Sequence, residues 1–272
     1  MAFNGCFRNS TFQRAATDNH PLTHNRKLSY FPFASYNPLS PKIGFNAMTI
    51  EQIISELKKH YNPGNIEGMA RYGISVDKAF GLNVPFMRAF AKKIGKNHKL
   101  ALELWETGYH EARHIASMID DPKLVTKSQM NRWVRDFNSW DICDGTCSNL
   151  FKKTPFAIEK IFEWCEKKEE YIRRAGFSLL CYVAVHDKKR DDKDFLRFFP
   201  IIKKHSLDER NFVKKAVNWS LRQIGKRSKF LNKEALKLAK EIQVLDSKSA
   251  KWIANDAIRE LKDPKILARL KR

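Results

Sequence analysis

The sequence of 272 residues predicts an all-α protein, a solenoid of antiparallel helix pairs with a concave basic face. Three observations carry that expectation. From residue 49 onward, apolar residues recur at helical spacing in segment after segment. Strand-like alternation is nearly absent, and no Asn-Gly or Asp-Gly pair joins two alternating stretches. Three basic helices also look like versions of one another, at a spacing of roughly 40 residues. A content of 43% hydrophobic and 30% charged residues suits a globular chain with a core to bury.

The first 47 residues stand apart. They carry Arg8, Arg14, Arg26, Lys27 and Lys42 against Asp18 alone, with four prolines and no sustained periodicity. That composition predicts a disordered or extraneous leader over 1–48 and a folded domain over 49–272. An Arg-rich, acid-poor stretch is also what an organellar transit peptide looks like. Helix formation begins at TIEQIISELKKHY, where Thr49 is the N-cap and Gln52 its capping-box partner. Helical periodicity then covers 49–60, 76–94, 97–107, 110–120, 126–137, 140–151, 155–166, 169–186, 191–203, 208–227, 231–240 and 247–262. The breaks are short and carry turn chemistry: Asn62-Pro63-Gly64, Asp121-Pro122, Lys153-Thr154-Pro155 and His205-Ser206. Short connections between helices make antiparallel neighbours.

The related helices are YIRRAGFSLLCYVAV (171–185), FVKKAVNWSLRQIGK (212–226) and AKWIANDAIRELK (250–262), with central alanines Ala175, Ala216 and Ala254. A helix pair every ~40 residues is the period of HEAT-like or ARM-like repeats, which stack into a curved solenoid. A compact helical bundle is the alternative. On a helical wheel, 212–227 gathers Val213, Ala216, Val217, Ser220, Leu221 and Ile224 on one arc. Lys215, Trp219, Arg222 and Lys226 fall opposite. A tryptophan inside a cationic stripe suits a binding surface better than a core, although Lys and Arg stems also cover aromatic rings at a core margin.

The charge narrows the function. With 51 Lys+Arg against 30 Asp+Glu, the net charge is +21. Residues 1–47 hold five basic residues and one acid, a net +4, which leaves +17 on the rest. Such an excess points to a polyanion, nucleic acid first. An anionic membrane is the second candidate, but no membrane partner is expected, because the longest apolar run, GFSLLCYVAV at 176–185, is about half a bilayer span. Five cysteines form an odd, sparse set that fits a reducing compartment, and Cys143, Cys147, Cys165 and Cys181 read as small buried hydrophobes. No metal-ligand set and no nucleotide or flavin motif stands out, so no cofactor is expected.

The segment FNSWDICDGTCSNLF (137–151) is the place for chemistry. Asn138 or Ser139 can cap the helix, and Asp141 in its first turn suits the macrodipole. Asp144 has no such explanation. It lies four residues after Trp140, on the same face, and Gly145 beside it lets something come close. A carboxylate beside an aromatic ring in so basic a protein invites a cationic ligand or transition state. The plainer alternative is a buried ion pair with an arginine of the next repeat.

Trp140, Asp141 and Asp144 as a W-D-x-x-D core, Arg174 in IRRAGF, and Trp219 with Arg222 in NWSLR together resemble the bacterial HEAT-like DNA alkylation repair proteins, the AlkD-type DNA glycosylases. The resemblance runs from about residue 55 to 262 with the motifs in the same order. It implies a monofunctional hydrolase that breaks the N-glycosidic bond of cationic N3- or N7-alkylated purines in duplex DNA. Asp144 would be catalytic, Trp140 and Trp219 the cleft aromatics, and Arg174 the cleft arginine, with Arg173 beside it as the competing match. Arg173, Lys215, Arg222 and Lys226 would contact DNA phosphates. The implied protein is a cytoplasmic, bacterial monomer, associated with the nucleoid when bound to DNA, whose partner is duplex DNA and its lesions. One position departs: Ser139 precedes Trp140, where well-studied members often have a second tryptophan, so the aromatic wall is thinner. A DNA-binding solenoid without catalysis, sensing lesions or structures, and a protein-interaction scaffold are the rival classes.

Overall fold

Every element is helical among the residues that the computed structural model describes, 48–270. The expectations for residues 1–47 lie outside them. The helices are α1 (Ile50–Lys59), α2 (Pro63–Arg71), α3 (Val84–Ile94), α4 (His98–Glu106), α5 (His110–Ile119), α6 (Lys127–Arg135) and α7 (Trp140–Asn149). Then follow α8 (Ala157–Cys165), α9 (Glu170–His186), α10 (Phe199–His205), α11 (Asn211–Gly225), α12 (Lys229–Gln243), α13 (Lys248–Leu261) and α14 (Pro264–Leu267). Their starts follow local chemistry. Thr49, Asn62, Asn83, Asn97, Thr126, Ser228 and Ser247 are N-caps whose side chains each accept a backbone N–H of the first turn. Thr49 and Gln52 form the expected capping box.

The helices pair as the periodicity predicts. Helix α4 packs on α5, α8 on α9, α10 on α11 and α12 on α13, while α5, α7, α9, α11 and α13 lie side by side in chain order. This is the solenoid arrangement of helix pairs. The repeat is also written into the hydrogen bonds. Lys204 to Glu166, Arg174 to the Phe212 carbonyl, Lys203 to Glu241, Ser247 to Glu209, Asn218 to Asp256 and Arg222 to Glu260 all join residues 38 apart. Each side chain meets its counterpart one repeat along.

Ala175, Ala216 and Ala254 are completely buried, small enough for neighbouring helices to approach. At Gly176 the approach of α8 is closer still: a Cβ there would sit 2.6 Å from the Cys165 backbone nitrogen. The apolar arc of α11 is buried throughout, from Val213 to Ile224. Three tryptophans fill the interior, with Trp105 and Trp133 stacked at 3.9 Å. Cys143, Cys147, Cys165 and Cys181 are free and buried, as small apolar residues are.

Three stretches differ from the sequence expectation. Asn62-Pro63-Gly64, read as a break, starts a helix, with Asn62 as cap and Pro63 in its first turn, where a missing N–H costs nothing. Residues 191–203 divide into a 3-10 segment, Asp192–Phe198, followed by α10. Residues 76–83 are not helical, because their N–H groups have a different partner. The buried Glu111 carboxylate accepts from the backbone nitrogens of Phe80, Gly81 and Leu82 at 2.8–3.1 Å. A distant carboxylate thereby outcompetes the local i→i−4 ladder, which periodicity cannot reveal.

Glu111→Gln should destabilise the protein by about 1–3 kcal/mol, since the amide turns a donor toward N–H groups that need an acceptor. Chemical denaturation of the two proteins checks this. An unchanged midpoint would show that the 80–82 segment does not depend on the carboxylate.

Candidate nucleic-acid interface

Helices α7, α9 and α11 bring the sequence-predicted residues to one face. Trp140, Asp144 and Ser148 follow at intervals of four on α7, Arg174, Ser178 and Tyr182 on α9, and Lys215 and Trp219 on α11. At its centre Arg174 donates through Nε to Asp144 Oδ1 at 3.0 Å and through Nη2 to Oδ2 at 2.6 Å. Its Nη1 donates to the Phe212 carbonyl at 2.7 Å. Arg174 is wholly buried, whereas the Asp144 side chain keeps 13% of its surface exposed. Burial alone would weaken the guanidinium's hold on its proton, but the Asp144 charge and hydrogen bonds outweigh it and raise the Arg174 pKa above its usual value. The arginine side therefore remains charged.

Aromatic rings flank this carboxylate. Trp140 is half-buried and donates through Nε1 to the Tyr72 carbonyl at 3.0 Å, which fixes the ring against the α2–α3 loop. Trp219 meets Tyr182 edge-to-face at 5.3 Å. Burial, followed by the Asp144 charge, pushes the Tyr182 hydroxyl well above its ordinary pKa, so it stays protonated. Sequence inspection passed over Tyr182, although its place eight residues after Arg174 puts it on the same stripe. It supplies an aromatic wall that the Ser139 position does not.

The basic residues are less alike than the wheel suggests. Arg174, and not Arg173, reaches Asp144. Arg173 instead donates to Asp208 Oδ2 at 2.7 Å and to the Cys165 carbonyl at 3.1 Å. Burial raises the Asp208 pKa, but hydrogen bonds from Arg210 and Arg173 bring it down to about 2. Arg222, expected in the phosphate-gripping stripe, is buried between Asp256 and Glu260 of α13. Lys226 bonds the same Glu260 at 2.5 Å. The wheel could not foresee this, because the acids arrive one repeat later.

Lys215 is half-buried, and its pKa is lowered by burial and then by the neighbouring Arg174 charge. A further basic group lies beyond Tyr182. Lys152 sits 5.3 Å over the Tyr182 ring, and Lys152, Lys153, His186 and Arg190 line a groove of about 420 Å³. Burial, then the charges of Lys152, Lys188 and Lys153, lower the His186 pKa, the mark of crowded positive potential.

Asp141, three residues before Asp144, meets α5 and not α9. Its Oδ1 accepts from Ser139 Oγ at 2.7 Å, while His110 Nε2 lies 2.9 Å and His114 Nε2 3.4 Å from Oδ2. Ser139 occupies the N-cap position, yet its hydroxyl serves Asp141 and not the helix end. Gly145 admits the His114 ring: a Cβ there would stand 2.8 Å from it. Burial opposes the Asp141 charge, but hydrogen bonds from both histidines hold its carboxyl well below the usual range. For His110 burial is again outweighed by Asp141, and its pKa is raised. The His110-x-x-x-His114 spacing was the available sequence signal.

Residues 53–261 match the family model described as DNA alkylation repair enzyme. Two curated proteins also match over 137 residues: Lin0241 of Listeria innocua at 24% identity and Lmo0209 of Listeria monocytogenes at 23%. Both bear the name uncharacterized protein, and each alignment covers 48% of this chain and 61% of the relative. The chain thus spans less than two thirds of the length of these relatives. A solved structure described as a new family of proteins related to the HEAT-like repeat DNA glycosylases with affinity for branched DNA structures superposes with a TM-score of 0.68. It is 21% identical, and the superposition covers 83% of this chain and 98% of that one. Among the described residues no helix is long and apolar enough to cross a membrane.

The Asp141 cluster sets a pH window. The depressed Asp141 pKa contributes stability above about pH 4, lost as pH falls through the folded value. The raised His110 pKa contributes below about pH 6.5, lost as pH rises through its folded value. The stability difference between wild type and Asp141→Asn, in chelator-containing buffer, should therefore be greatest between those limits and shrink toward pH 9. A difference independent of pH would show that His110 does not share charge with Asp141.

Proposed function

The chain belongs to the DNA alkylation repair enzyme family, and from that membership we propose that it acts as a monomer on DNA lying across α7, α9 and α11, hydrolysing the N-glycosidic bond of N3- or N7-alkylated purines. The observation that supports this most directly is the Asp144 carboxylate, fixed in orientation by a buried, permanently charged arginine and open at one edge beside Trp140. An alkylated purine already carries positive charge, so it leaves without a general acid. One carboxylate suffices where ordinary glycosides need two. Asp144 faces the oxocarbenium charge developing on the deoxyribose and orients the incoming water. With both oxygens held by Arg174, it serves as a fixed electrostatic partner and not as a nucleophile. Trp140 and Trp219, the latter braced by Tyr182, hold sugar and lesion through contacts that favour positive charge. Lys215 and the Lys152 group grip flanking phosphates, which position DNA without reading sequence.

A second reading has its own support. Arg174 uses both Asp144 oxygens, leaving less capacity to hold a water, and the superposed structure belongs to proteins with affinity for branched DNA. On that reading the same face binds DNA junctions without releasing a base. Single-turnover base release from methylated duplex, together with affinities for duplex and four-way junction, separates the two. Release of 7-methylguanine or 3-methyladenine supports the enzyme. Junction preference with no release supports the binder.

For the enzyme, Asp144→Asn should lower base release by roughly 10²-fold or more while DNA affinity holds. Because the substitution strips Arg174 of its counter-charge, stability should also fall by about 3–5 kcal/mol, so release is measured well below the melting point. Normal release from folded variant would remove Asp144 from the chemistry.

The basic residues should also separate by experiment. Lys215→Ala and Lys152→Ala should each reduce the salt slope of DNA binding by about one. Arg222→Ala should leave that slope nearly unchanged and instead lower the melting temperature, since Asp256 and Glu260 lose their counter-charge. The reverse pattern would place Arg222 on the phosphates.

A further inference from the structure

We propose that His110, His114 and Asp141 form a binding site for one divalent transition-metal ion, zinc by ligand chemistry, which ties α5 to the start of α7. The three donor atoms, two imidazole Nε2 and one carboxylate oxygen, lie within 4.8 Å of one another. Zinc holds nitrogen and oxygen ligands at about 2.0–2.2 Å, so neighbouring ligand atoms around a tetrahedral ion stand roughly 3.3 Å apart. The distances from Asp141 Oδ2, 2.9 Å to His110 and 3.4 Å to His114, bracket that separation.

Its construction goes beyond three adjacent side chains. Two histidines at i and i+4 present their nitrogens from one helix face, the spacing by which helices supply paired zinc ligands. Both are 6% exposed, so their orientation is set by packing. Ser139 holds the other Asp141 oxygen at 2.7 Å, an outer hydrogen bond that leaves Oδ2 turned to the histidines. Gly145 is what lets the His114 ring lie against α7 at all. A cavity of about 250 Å³, lined by Ser75, Asp77, Lys78, Arg113 and Asn138, reaches one of the three ligands, His110. In chain position the ion would sit next to Trp140 and three residues before Asp144, and would stiffen the turn that carries both.

The full-length protein, stripped with chelator, is titrated with zinc chloride alone in a calorimeter. One ion per chain at micromolar affinity or better, with a rise in melting temperature, is the expected result. His114→Gln and Asp141→Asn should each weaken binding at least tenfold, and Ser139→Ala about tenfold through the lost outer hydrogen bond. Zinc-edge anomalous scattering from wild-type crystals locates the ion without relying on any variant. A peak among the three residues supports the site. Absence of saturable binding, binding undiminished in folded variants, or a peak elsewhere, such as at a buried cysteine, overturns it.

Discussion

Arg174 is wholly buried, and from α9 its guanidinium donates to the Asp144 carboxylate of α7 and to the Phe212 carbonyl at the start of α11. The spacing of the inner helices around the candidate site depends on that one group. Burying two charges costs several kcal/mol per ion before their attraction is counted, and well-packed apolar residues of similar volume are often as stable or more so. A pair retained at such cost must return something that leucine would not. Here it returns geometry: a carboxylate held by two bonds, with an edge of 13% left open.

The same logic extends along the solenoid. A surplus of +21 would repel itself across closely packed basic helices unless acids were placed to meet it. The acids are so placed, on helices of the neighbouring repeats. Asp256 and Glu260 of α13 meet Arg222 of α11, as Asp144 meets Arg174 between α7 and α9. Each repeat thus locks arginines of its neighbour. Arginine suits the locked positions because its planar fork engages a carboxylate through two parallel bonds.

Most of the fold was legible in the sequence because the helices are amphipathic and their caps are local. The buried arc of α11 and the Thr49 capping box need nothing beyond neighbours within a turn. What sequence could not show depends on contacts across the chain. Glu111 takes the N–H groups of Phe80 to Leu82 from about 30 residues away and keeps that stretch out of helix. Arg222 looks like a free cation on a wheel until Glu260 arrives from the next repeat. Of the site, Trp140, Asp144, Arg174 and Trp219 were visible as residue types at telling positions and as a family resemblance. Tyr182 and the two histidines carry only spacing as a signal, which gains its meaning from Trp219 and Asp141 on other helices.

Asp141 and Asp144 show how far environment separates two identical side chains. They stand three residues apart on one helix, yet they meet different neighbouring helices. Asp141 turns to α5, where two imidazoles and a serine hydroxyl surround it, groups that can exchange protons or a metal ion. Asp144 turns to α9, where its partner is a guanidinium that never gives up its charge. The first carboxylate has a negotiable counter-charge and the second a fixed one. A group meant to stabilise a short-lived positive charge works best when its own charge and position do not change as the reaction proceeds. On the proposed glycosylase reading, that requirement favours Asp144 over Asp141, whose partners on α5 hold the start of α7 and with it Trp140.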